Sequence, residues 1–159
     1  MPNKTTKIII AWTVSALLSM QFGCTQGERS FLIVQVCLND RQDLSEFKNL
    51  IESVANAEHM QFTDRSDETQ RELQSINNPN VHQAWQAINF GIIGEDGIGL
   101  TAGNIGMPAN EIAVGFTGVS DLPRARNLAN SVVNKLQERW HVETLPEGTA
   151  AQGMRKCVH

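Results

Sequence analysis

The chain has 159 residues, of which 41% are hydrophobic and 19% charged, with a formal net charge of -4. That is room for one ordinary domain with its own core, and it excludes a disordered tail. An acidic balance with no run of Lys or Arg argues against a nucleic-acid-binding protein or one held on anionic lipid, since both need a basic face.

The opening stretch sets the expected compartment. Met1–Lys7 is short and carries Lys4 and Lys7, and Ile8–Met20 is uncharged for 13 residues; Gln21, Phe22, Gly23 and Cys24 follow. A positive start, a short apolar middle and a small residue at the break match a secretory signal. A run of 13 residues is short for a span, which needs roughly 20 apolar residues. The alternative is a core helix, but Ile8-Ile9-Ile10 with Trp12 has no polar face and would have to be buried all round.

This stretch, ending in Gly23-Cys24, resembles a bacterial lipoprotein signal. The family usually carries Leu three residues before the cysteine, where this chain has Gln21. The resemblance covers residues 1–24 only and implies that 1–23 is a signal peptide and that Cys24 is lipidated and becomes the N-terminus. It places the protein in the bacterial cell envelope on the periplasmic side, and Thr25, rather than Asp, resembles outer-membrane members. With Cys24 lipidated, Cys37 and Cys157 are left to pair in an oxidising compartment. The other reading has Cys37 as a small buried residue in a strand and Cys157 as a free thiol.

Residues 24–30 read as a polar tether, 31–146 as a single α+β domain and 147–159 as a tail. Phe31–Leu38 is a nearly continuous apolar, β-branched run, expected as an interior strand. A helix follows, with Asp43 expected at its N-cap, Glu46 completing a capping box, and Leu44, Phe47, Leu50, Ile51 and Val54 on one face. His59–Asp64 alternates as a half-buried strand, and Ser66 or Asp67 is expected to cap a short polar helix through Ile76. Asn77–Asn80 is a turn, and 81–86 is ambiguous. Gly94–Gly97, with Asp96-Gly97 suited to positive φ, is expected to join strands over about 87–93 and 98–104 as a hairpin. Glu111–Val119 is a further strand. Ser120 or Asp121 starts a strong helix with Pro123 in its first turn and a stripe of Leu122, Ala125, Ala129, Val132, Val133, Leu136 and Trp140. Val142–Leu145 is the last strand.

Two amphipathic helices on one face of an antiparallel or mixed sheet make an α+β fold. The element order resembles a ferredoxin-like fold with an extra hairpin at 87–104.

Chemical motifs are sparse. The Gly-rich 94–106 segment has no Lys and lacks the phosphate-loop pattern, so it reads as turns and strand glycines. No two of His59, His82, His141 and His159 stand at i, i+3 or i, i+4, so no helical metal pair exists. Asp64, Asp67 and Glu68 in "TDRSDETQRE" lack the spacing of a calcium loop and read as a solvated helix face. Nothing calls for a cofactor or a metal. Trp85, with His82 three residues before it, is the candidate partner contact, because Trp is common in interface anchors. The expectation is therefore an envelope protein that binds a protein partner and is not an enzyme, in either a structural or an inhibitor-like role. The alternative is a small hydrolase or ligand binder with a cleft near His82, Trp85 and 94–106.

Overall fold

A computed structural model describes residues 30–76, 86–107, 110–145 and Cys157. Its elements are β1 (Leu32–Cys37), α1 (Asp43–Ala57), β2 (Gln61–Asp64), α2 (Ser66–Ser75), β3 (Asn89–Ile93), β4 (Gly99–Gly103), β5 (Glu111–Thr117), α3 (Leu122–Gln137) and β6 (His141–Leu145). The class is α+β. One six-stranded sheet in the order β2-β3-β4-β5-β1-β6 pairs antiparallel throughout.

The connections follow from that order. β2 to β5 form a meander, while β1 lies between β5 and β6. The chain leaves β1 through α1 and returns as β2, parallel to β1 with three strands between them. It leaves β5 through α3 and returns as β6 with β1 in between. A four-strand ferredoxin-like sheet has no counterpart of the β3–β4 hairpin that here separates β5 from β2.

Because side chains alternate along a strand, the register sorts residues into two faces. One face carries in-register rows of Val34, Val114, Ala102 and Phe90, and of Phe116, Leu100, Ile92 and Phe62. On this face α1 contributes Leu44, Phe47, Leu50, Ile51 and Val54, and α3 contributes Ala125, Leu128, Ala129, Val132 and Leu136, all buried in one core with Trp140. For α1 the periodicity read from the sequence is the periodicity of burial; in the α3 stripe Leu122 and Val133 are half-buried, Trp140 lies beyond the helix, and Leu128, outside the expected stripe, is buried. The other face carries small and polar residues, among them Gln35, Ala113, Gly103 and Asn89 in one row and Gly115, Thr101, Gly91 and Thr63 in another.

The helix starts differ in part from the sequence expectation. Asp43 is the first helical residue of α1, not its N-cap, and the box with Glu46 does not form. Asp40 lies upstream, and its carboxylate accepts from the N–H groups of Gln42 (2.6 Å) and Asp43 (3.2 Å), while Asp43 accepts in return from the Asn39 N–H (2.7 Å). Two aspartates three apart can each reach orphan amide groups, and the one outside the helix does the capping. Likewise Ser66 is the first residue of α2, and Asp64 accepts from its N–H at 2.9 Å. At α3 the expected Asp121 does cap, accepting from the Arg124 N–H at 3.2 Å. His59 is not part of a strand: at φ 54° it closes α1, and the Met60 N–H donates to the Ala55 carbonyl at 2.8 Å.

The hairpin at Gly94–Gly97 forms as expected. The Gly94 N–H donates to the Ile98 carbonyl, and Gly97 takes φ 79°, a conformation that favours glycine. Asp96 within this turn pairs with Arg124 at the start of α3, so the hairpin tip is tied to the helix.

Candidate functional site

A cleft of about 230 Å³ opens where the core face of the sheet runs out at its β2 edge. The row Val34, Val114, Ala102, Phe90 ends on β2 at Asp64, so an apolar row terminates in a carboxylate. α1 crosses above that edge and contributes Leu44, Ser45 and Lys48, with Arg41 in the turn before it; α2 contributes Ser66 and Asp67. The floor is Leu44, Ala87, Ile88 and Phe90, all buried.

Lys48 forms an ion pair with Asp64, linking α1 to β2. The hydrogen bond to Asp64 holds the Lys48 ammonium above its usual range, against the opposing effect of burial. Burial pushes the Asp64 carboxyl up, but the hydrogen bonds from Lys48 and Ser66 and the nearby ammonium charge outweigh it, leaving the group below the usual carboxylate range. The sign of the pH dependence follows. The Asp64 contribution to stability is full above the unfolded carboxylate value and is lost as pH falls through the lowered folded one; the Lys48 contribution is full below the unfolded lysine value and is lost as pH rises through the raised one. The side chains are 43% and 24% exposed, so solvent screens the pair to about 1 kcal/mol or less. Urea midpoints for wild type and Lys48→Met are expected to differ by that amount at neutral pH and to converge in acid.

The floor is fixed from behind. Asn104, 1% exposed, accepts from the Ile88 N–H and donates to the Gln86 carbonyl, both at 2.7 Å. Gln70 on α2 accepts from the Ala87 N–H at 2.7 Å. Ser66 accepts from the Asn89 N–H (3.1 Å), and the Asn89 side-chain amide donates to the Thr69 hydroxyl (2.9 Å). One buried amide thus holds both backbone groups of the approach to β3. Removing it in Asn104→Ala strands the buried Ile88 N–H and leaves the part-buried Gln86 carbonyl without its partner, and is expected to lower stability by about 1–3 kcal/mol, read as a shifted urea midpoint.

Of the residues singled out in the sequence, Cys37 and Cys157 are joined by a disulfide with their Cα atoms 5.7 Å apart. Cys24, His82 and Trp85 lie outside the described residues. Asp67 and Glu68 stand exposed in the first turn of α2, as expected of a solvated helix face, and Asp67 also lines the cleft; Asp64 lies on β2, is paired with Lys48 and accepts from the first N–H of α2. The Gly-rich 94–106 segment supplies the hairpin and, through Asn104, the support behind the floor. Sequence reading missed Lys48, Arg41 and Asn104. Lys48 and Arg41 carried no signal, because their cleft partners arrive through a crossover of three strands. An Asn in a glycine-rich turn has several ordinary reasons to be there.

Among the described residues no group of His, Cys, Asp and Glu could hold a metal ion, and no helix is long and apolar enough to cross a membrane. The chain matches no protein-family model, and no curated protein matches it. No catalytic family is therefore indicated.

Proposed function

We propose that the protein is an exported, lipid-anchored envelope protein that acts by binding. The observation that carries the reading is the Cys37–Cys157 disulfide, because such bonds persist in oxidising compartments and are rare in the cytosol. It fits the positive, apolar, Gly23-Cys24 leader, which independently points out of the cytoplasm. Trp85 and His82 serve as the contact for an envelope protein partner. The acidic balance suits a basic partner surface, and association then slows as salt rises. The test is the N-terminus itself: palmitate labels the wild-type chain and not Cys24→Ser, and the native protein begins at Cys24. A native protein that still begins at Met1 overturns the reading.

A second reading, a small-ligand binder, is favoured by the cleft at the β2 edge. It combines an apolar floor held by buried hydrogen bonds with charges of both signs on its walls, the general make-up of small-molecule sites.

A further inference from the structure

The charges on the cleft walls fall into two kinds. Lys48 and Asp64 satisfy each other. Arg41 and Asp67 also line the cleft, and among the described residues neither side chain takes part in an ion pair. Lys48 lies close enough to Asp67 to respond to its charge, but its hydrogen bond goes to Asp64. The walls therefore offer one uncommitted guanidinium and one uncommitted carboxylate above a floor of Leu44, Ala87, Ile88 and Phe90.

We propose that this cleft binds a free α-amino acid with an apolar side chain. Arg41 takes the carboxylate, for which a guanidinium offers two parallel N–H donors. Asp67 takes the ammonium, and the side chain lies on the apolar floor. A neutral ligand would leave both charges unneutralised, and a peptide terminus brings only one of the two charges. The volume of about 230 Å³ is below the roughly 300–1,000 Å³ of drug-sized pockets and suits a ligand of this size. The floor is held by Asn104 and Gln70, so binding need not order it first. The inference rests on the small-ligand reading and is independent of export: its failure leaves the palmitate and N-terminus result unaffected.

Calorimetric titration of the full-length protein with L-leucine tests it, using leucinamide, which lacks the carboxylate, and 4-methylpentanoate, which lacks the ammonium. L-leucine is expected to bind, and each analogue to bind at least about tenfold more weakly, the loss of one charge-assisted contact. Arg41→Gln erases the preference over leucinamide, and Asp67→Asn erases the preference over 4-methylpentanoate. Both residues are exposed, so near-UV circular dichroism is expected to match wild type. No heat with L-leucine up to about 10 mM, equal binding of the capped analogues, or preferences unchanged in both variants overturns the proposal.

Discussion

Cys157→Ser is expected to remove about 5 kcal/mol of folding stability, a third or more of the total of about 5–15 kcal/mol typical of a domain. The bridge joins residues 120 apart in sequence, so in the chain-entropy model it restricts nearly the whole unfolded chain. The native end is well placed for it. Cys37 sits at the end of β1, in register with Glu111 on β5 and His141 on β6, and is 7% exposed. Urea unfolding with and without reductant measures the effect. Reductant is expected to shift the wild-type midpoint to that of Cys157→Ser and to leave the variant unchanged, and Cys37→Ala is expected to match both. A wild-type midpoint indifferent to reductant would show that the bond does not constrain the unfolded chain.

What the sequence revealed depended on range. The α1 stripe of Leu44, Phe47, Leu50, Ile51 and Val54 repeats at helical spacing, and every one of these residues is buried. The interior character of β1 was legible from its apolar run, and the β3–β4 hairpin from Asp96-Gly97. These signals are local. The strand order was not legible, because nothing in the element order says that β3 and β4 insert between β5 and β2. The cleft depends on that order. Asp64 meets Lys48 only because α1 carries the chain over three strands to the sheet edge. His59 misled for a different reason: one residue with positive φ ends the helix, and only glycine or asparagine would have signalled it. Cap chemistry was degenerate in the same way, since Asp40 and Asp43 both offer a carboxylate near the helix start, but Asp40 accepts from the Gln42 and Asp43 N–H groups while Asp43 turns back to the Asn39 N–H.

Phe47→Ala is expected to lower stability by about 3–5 kcal/mol, the range for truncating a fully buried aromatic. Phe47 has no exposed surface, and its ring meets Phe90 at 5.7 Å and the edge of Trp140 at 5.8 Å. Phe90 in turn meets Phe62 on β2 at 5.7 Å. Four rings thus run from the edge strand through β3 and α1 to the residue just before β6, tying α1 and the start of β6 to the paired strands β2 and β3. Loss of this ring takes away apolar burial and also leaves a cavity, because the surrounding structure relaxes only partially. Phe47→Leu keeps most of the volume and is expected to lose only about 1–2 kcal/mol. In a double-mutant cycle, Phe47→Leu with Trp140→Leu is expected to show coupling of about 0.5–1.5 kcal/mol, the ring–ring contact beyond area burial. Urea unfolding of the oxidised protein measures all of these, and the disulfide is what makes the measurement possible. With the bond intact, Phe47→Ala still folds; with reductant the two losses together approach or exceed the whole stability of a domain this size, and the variant is expected to unfold without denaturant. A reduced Phe47→Ala that stayed folded would place the stability of the oxidised protein above the sum of the two losses, about 8–10 kcal/mol.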